Sequence, residues 1–295
     1  MDTRMRKRPS QGRSRVTVTS ILEAADRVIR TDGYESASTN RVARVAGFSV
    51  GSLYQYFRDK QAIVGALIDR ELATEAEAIV QLLDASPKGE AREIAAAALR
   101  LMLERRSARA HLFRTLDTFA AELGVECLMR HLARSQAPIA SDALQRVAAQ
   151  VLPRAARSLD ARTFVLARVA SAAAHGCAVD APLGAEAPKL VAEFEQAVGV
   201  FIASAHAAPR ALALAQAWAK APLASATHAE LRARRRREAR AALVAAGVDT
   251  ARLEPLAFLL ACVGDAVASS LRPPQGLTHD ELMQELARFA EALGA

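Results

Sequence analysis

Residues 39–60 read TNRVARVAGFSVGSLYQYFRDK, and the pattern predicts two short helices joined by a glycine turn. Ser38 or Thr39 is suited to cap a helix over 40–46, in which Val42, Ala43 and Ala46 face inward. Gly47 supplies the turn, being tolerant of the left-handed conformation that ends a helix. Ser49 caps the second helix, where Leu53 and Phe57 lie four apart and must face a core. Ser49, Val50, Ser52, Tyr54, Gln55 and Tyr56 are left on its other surfaces, with Gly51 offering no side chain at all. Two helices joined by a short glycine turn form the helix-turn-helix, whose second helix enters the major groove of DNA.

The flanks extend this reading. From Thr17 the apolar residues Val18, Ile21, Leu22, Ala25, Val28 and Ile29 recur at three- and four-residue spacing, one face of an amphipathic helix that Gly33 ends. On the other side Asp59 caps a long helix through Ile63, Leu67, Ile68 and Leu72. Ahead of everything, Arg4, Arg6, Lys7, Arg8, Arg13 and Arg15 make a basic arm around Pro9 and Gly12. Next to a helix-turn-helix such an arm is suited to phosphate or minor-groove contact; standing alone it would be a solubilising tail.

Charge and composition agree. The formal net charge is +7 over 295 residues, and residues 1–60 hold 12 Lys/Arg against 6 Asp/Glu while the remaining 235 hold 27 against 26. The excess therefore sits on the segment with the helix-turn-helix, which is the electrostatic footprint of phosphate binding. Hydrophobic residues make up 52% of the chain but aromatics only 4%; Ala and Leu supply the difference, and they favour helices over strands. The expected fold class is all-α. Three cysteines, Cys127, Cys177 and Cys262, lie far apart in apolar stretches, as expected of buried thiols in a reducing, cytoplasmic compartment. No pair is spaced as a metal clip, the basic N-terminus lacks the apolar core of a signal peptide, and the longest apolar run, 256–264, is far short of the ~20 residues that span a bilayer. No metal site, cofactor or membrane partner is expected.

Residues 13–67 resemble the DNA-binding domain of the tetracycline-repressor (TetR-like) family. The likeness rests on ILEAA at 21–25, Gly33-Tyr34, Ser38-Thr39, RVARVAG at 41–47, SVGSLYQYF at 49–57 and Asp59-Lys60. It implies an N-terminal three-helix DNA-binding domain followed by a helical-bundle regulatory domain. It also implies DNA contact at Thr39, Gly51, Tyr54, Tyr56 and Lys60. The residues themselves add roles: Gln55 is suited to pair with adenine, and Val50, Gly51 and Ser52 permit close approach to base edges. Tyr54 and Tyr56 can offer hydroxyls to phosphate, and Lys60 brings a charge to a helix N-terminus. The candidate DNA-binding set is Arg15, Thr39, Ser49, Val50, Gly51, Ser52, Tyr54, Gln55, Tyr56 and Lys60.

The second half carries an apparent repeat. TFVLARVASAAAHG at 163–176 and the helix KLVAEFEQAVGVFI at 189–202 are echoed by LAFLLACVGDAVAS at 256–269 and ELMQELARFAEAL at 281–293. Phe164, Leu166 and Val169 align with Phe258, Leu260 and Val263, and Glu193-Phe194 aligns with Glu285-Leu286. This is the pattern of a duplicated helical hairpin; two hairpins that agree through Ala/Leu composition are the alternative. In proteins similar to this family one such hairpin packs on its twin in a homodimer. The family pattern ends near Ser204, so the rest is an extension, expected to fold its hairpin onto the first within the same chain.

The expected organisation is a basic arm (1–15), the helix-turn-helix domain (16–62), a helical ligand-binding and dimerisation domain (63–205) and a second helical domain (206–295). An arginine cluster at 232–240 is expected to form a solvated helix face. Neither HExxH nor a phosphate-cradling glycine loop occurs, and Ser, His and Asp fall in no legible catalytic order, so no catalytic residues are expected. Function is expected to be that of a repressor, a homodimer on palindromic double-stranded DNA, released by a small apolar effector. Walls for that effector are sought among Leu99, Met102, Leu103, Leu112, Phe113, Leu116, Phe119, Leu128, Phe164 and His175, each of which also suits ordinary core. Two other readings stay open: control by a protein partner through the extension, and an enzyme that uses the head for localisation.

Overall fold

The computed structural model describes residues 12–85, 90–123, 158–180, 187–204, 209–219, 228–269 and 278–294. Every element among them is a helix. The chain divides into two compact units, residues 1–77 with 109–139 and residues 78–108 with 140–295.

The first unit begins with α1 (Gly12–Asp32), α2 (Thr39–Ala46), α3 (Val50–Tyr54) and α4 (Lys60–Ala85), whose last residues, 78–85, count with the second unit. The apolar face predicted for α1 is buried from Val18 to Ile29, and Gly33 closes the helix at φ 82° with its N–H on the Ile29 carbonyl. Ile63, Val64, Leu67 and Ile68 of α4 complete the core with Val42, Ala43, Leu53 and Phe57. Asp59 caps α4 as expected, its Oδ1 accepting from the Ala62 N–H at 2.8 Å. A further helix, α6 (Ala110–Leu123), packs on α1 and buries Leu112, Phe113 and Leu116.

The second unit holds α5 (Ala91–Ala108), α7 (Ser158–Val179), α8 (Ala187–Ala203), α9 (Pro209–Ala219), α10 (His228–Ala245), α11 (Thr250–Ser269) and α12 (His279–Ala292). Helix α5 packs on α7 and α8, and α7, α8, α11 and α12 pack on one another. Outside them α9 lies against α11 and α12, and α10 lies against α11. Eight consecutive residues of α11, Leu256 to Val263, are buried. A helix that is apolar on every side is stable only with neighbours on every side, and this extension supplies several of them itself.

Compaction therefore follows different boundaries from those expected at 62/63 and 205/206. Helix α6 belongs to the unit of the DNA-binding head, and the segment after 206 shares one core with α5, α7 and α8. The expected packing of the second hairpin on the first within the chain is present: Phe289 of α12 meets Phe194 and Phe201 of α8 at ring-centroid distances of 5.8 and 5.3 Å.

The arginine cluster meets its expectation only in part: Arg234, Arg237 and Arg240 are exposed, and the others are not. Arg235 is buried, Arg232 pairs with Asp180 at 3.2 Å, and Arg236 and Arg240 both reach Glu254 on α11. Glu238 takes Arg234 at 2.8 Å and also the indole N–H of Trp218 at 2.8 Å. Helix α10 has α11 beside it, so several of its arginines join helices, with Arg240 doing so at the surface. Of the cysteines, Cys262 is buried and Cys177 is half-buried. Burial, with Asp180 nearby, pushes the Cys177 thiol up to about 12, so it stays a thiol at neutral pH. Cys127 lies outside the described residues.

Candidate nucleic-acid interface

The two short helices are built as their caps dictate. Ser38 stands extended (φ −64°, ψ 151°) and its hydroxyl accepts from the Arg41 N–H, so α2 starts at Thr39, one residue before the expected start. Gly47 adopts φ 76°, and the Phe48 N–H returns to the Ala43 carbonyl at 3.0 Å, satisfying carbonyls that the helix end leaves open. Ser49 repeats the Ser38 device: its Oγ accepts from the Ser52 N–H at 3.0 Å. Helix α3 is shorter than expected, ending at Tyr54. The N–H groups of Tyr56 and Phe57 both turn back onto the Leu53 carbonyl at 3.0 Å, which closes the helix and puts Gln55 and Tyr56 in the turn.

Leu53 and Phe57 are fully buried, and they aim everything else on α3 outward. Ser49, Gly51, Tyr54 and Gln55 are exposed, and Val50, Ser52 and Tyr56 are half-exposed. Tyr54 keeps 40% of its surface, and its hydroxyl lies 3.2 Å from Thr39 Oγ1, tying α3 to the start of α2. A Cβ placed on Gly51 would meet nothing nearer than Ser49 Oγ at 3.9 Å, so the space over it is open to an incoming surface. Arg15 is exposed on the first turn of α1. None of the ten candidate residues is buried.

Lys60 differs from its simple reading as a point charge at a helix start. Its Nζ sits 3.8 Å over the Tyr34 ring and 3.5 Å from Glu35 Oε2. Part of its charge is already answered within the protein. Arg41, on α2, is likewise held by Asp32.

A second polar cluster escaped sequence reasoning. Asp26 of α1 accepts from Arg109 at 2.9 Å and meets His111 Nε2 at 2.8 Å, while Arg109 also reaches Glu71 of α4 at 3.4 Å. Burial alone would raise the Asp26 carboxyl, but the His111 hydrogen bond and the Arg109 charge outweigh it and hold the group below its ordinary value. These partners stand more than eighty residues apart in sequence, and no local pattern announces them.

The expected effector walls are divided. Leu99, Met102 and Leu103 are buried in the second unit, Leu112, Phe113 and Leu116 in the first. Phe164 and His175 are half-buried, and Leu128 and the Phe119 side chain lie outside the described residues. In the first unit Ile68, Glu71, Leu72, Leu112, Phe113 and Leu116 line a cavity of about 10 Å³, room for a single water. Among the described residues no group of three or more His, Cys, Asp or Glu could hold a metal ion, and no helix is long and apolar enough to cross a membrane.

This geometry defines a helix-turn-helix DNA-binding head. Residues 21–67 match the family model described as bacterial regulatory proteins, tetR family, and the head is a domain of that family. The chain is 36% identical over 70 residues to the HTH-type transcriptional regulator SAB2452 of Staphylococcus aureus (strain bovine RF122 / ET3-1), covering 24% of this chain and 35% of the relative. It is 35% identical over 68 residues to the HTH-type transcriptional regulator SAUSA300_2515 of Staphylococcus aureus (strain USA300), covering 23% and 34%. The similarity thus spans about a third of the length of these relatives.

Proposed function

We propose that the chain is a sequence-specific transcriptional regulator that reads DNA with α3. The observation that carries this is the fully buried pair Leu53 and Phe57, which fixes a doubly capped helical turn and leaves Val50, Gly51, Ser52, Tyr54 and Gln55 facing outward. Gln55 and the small residues are assigned to base edges; Arg15, Tyr54, Tyr56, Thr39 and Lys60 are assigned to phosphates. The basic arm adds affinity without base preference.

Regulation is proposed to be release of a repressor by a small apolar molecule, which must bind the form unable to engage DNA more tightly than the competent one. The cavity beside Leu112 and Phe113 has apolar walls suited to such a ligand, although it would have to widen to admit one. The resemblance implies a homodimer on a palindrome. In this chain such a dimer would need a surface other than the α7–α8 hairpin, whose apolar face α11 and α12 already cover. Control by a protein partner through 206–295 draws less support, because the apolar side chains of α11 and α12 are used inside the chain's own core.

Selection of random duplex DNA by the purified protein, followed by sequencing, tests the reading. An enriched motif that changes at one base position in Gln55→Ala supports it; recovery of unenriched DNA rules it out.

A further inference from the structure

The two halves of the second unit's central bundle meet as two copies of one chain would. In a symmetric, isologous contact, residue i of one copy meets j of the other and j meets i in return. Here Arg162, near the start of α7, reaches Glu285 of α12 at 3.2 Å. Arg252, near the start of α11, reaches Glu193 of α8 at 2.6 Å. Glu193 and Glu285 hold matching places in the sequence repeat, and Arg252 lies one helical turn ahead of Leu256, the position that matches Arg162. Each hairpin thus lends an arginine from the early turns of its first helix to the same glutamate of the other, in an approximate and not an exact exchange. Helix pairing follows the same exchange: α7 lies against both α11 and α12, and so does α8. First helix meets first at Gly176, where a Cβ would come within 2.9 Å of the Phe258 ring. Second meets second at the Phe194, Phe201 and Phe289 cluster, all three fully buried.

The repeat copies the hairpin and not the head. SVGSLYQYF occurs once in the chain, and the helices preceding the second hairpin, α9 and α10, pack on α11. Among the described residues, the exposed large hydrophobics of this unit are Val200 on α8 and Val244 on α10. These two valines lie on separate helices and make no apolar patch between them.

We propose that the α11–α12 hairpin stands in for a second copy's α7–α8 hairpin, so that one chain closes its own bundle and presents one reading head to a single, unrepeated DNA site. This rests on the DNA-binding reading of α3 above. A two-headed regulator reads half-sites one helical turn apart, related by the symmetry of the protein. A chain that is its own partner has no second head to place, so its target carries no inverted repeat, and its affinity comes from one groove and its flanking phosphates.

The test uses the full-length protein. Light scattering gives the molar mass of the free chain at micromolar concentration and of its complex with a selected duplex. Affinities are then compared between duplexes carrying one copy of the selected motif and an inverted repeat of it. The expected results are one chain free, one chain per single-site duplex, a motif without inverted symmetry, and an inverted repeat bound within about twofold of the single site, the statistical factor alone. Two chains in the free protein would overturn the self-closed bundle. An inverted-repeat motif bound by two chains with a gain of about 100-fold or more would overturn the single head. Failure to enrich any motif would sink the DNA reading and the target with it, while the free mass still reads the bundle separately.

Discussion

Gln55 and Lys60 separate two kinds of contact that lie a few residues apart. Gln55 is exposed and is assigned to base edges, so Gln55→Ala should alter which bases are selected while leaving the salt dependence of binding unchanged. Lys60 is assigned to phosphate but already shares its charge with Tyr34 and Glu35. Lys60→Ala should weaken binding to all sequences alike and reduce the slope of log affinity against log salt by about one. Should titrations in salt give equal slopes for the two proteins, Lys60 belongs to the ion pair with Glu35 and not to DNA. Asp26 carries a pH prediction. Its native value is lowered from 3.8, so its contribution is complete above the unfolded value and is lost as pH falls through the lower native one. Asp26→Asn should cost about 2 kcal/mol at neutral pH, in line with charge-assisted hydrogen bonds. The gap to the parent protein should close below about pH 4. Denaturant unfolding across pH measures this, and a pH-independent gap would contradict it.

Among the elements, α3 is the least able to stand alone. Five residues make little more than one turn, and a helix that short has no stability of its own in water. Its caps and its two buried anchors hold it. Phe57→Ala should therefore remove about 3–5 kcal/mol from the head and abolish specific binding. Ser49→Ala should cost about 1 kcal/mol through the lost cap and leave binding weakened but specific. Thermal unfolding and binding to a selected duplex distinguish the two; equal effects would mean that the cap, not the core, sets the geometry of α3. Helix α11 shows the opposite case. The run Leu256 to Val263, buried on every side, commits its middle to the interior, and its close approach to α9 depends on Gly264, where a Cβ would fall 3.0 Å from the Trp218 ring.

For the whole molecule, the extension covers the first hairpin and is proposed to determine assembly. Ending the chain after Ser204 strips α11 and α12 from α7 and α8 and uncovers Phe194, Phe201 and Leu190. Apolar side chains in that number do not remain exposed in a dispersed monomer. The truncated protein should form dimers through the bared hairpin, or aggregates, where the full-length chain is expected to be monomeric. A truncated chain of monomeric mass with an unchanged unfolding temperature would show that the extension contributes nothing to the bundle.

How much of this was legible beforehand varied with distance along the chain. Residues 39–60 by themselves determined the head: the capping serines, the left-handed Gly47 and the Leu53–Phe57 spacing all act within a few residues, so local chemistry and local structure coincide. The helical class followed from composition for the same reason, since helix propensity is a property of single residues. The likeness of the two hairpins, and the expectation that the second folds onto the first, could be read in sequence, though not which side chains would meet. Only the tertiary structure decided that α6 joins the head and that Asp26 finds Arg109 and His111. It alone decided that Arg235 of α10 is buried, that Arg232 finds Asp180, and that Arg162 and Arg252 each reach a glutamate of the other hairpin. Each of those outcomes depends on which faces meet when helices distant in sequence compete for the same buried surface. Hydrophobic burial rewards the area covered without naming the partner that covers it, and the partner emerges only when the whole chain has packed.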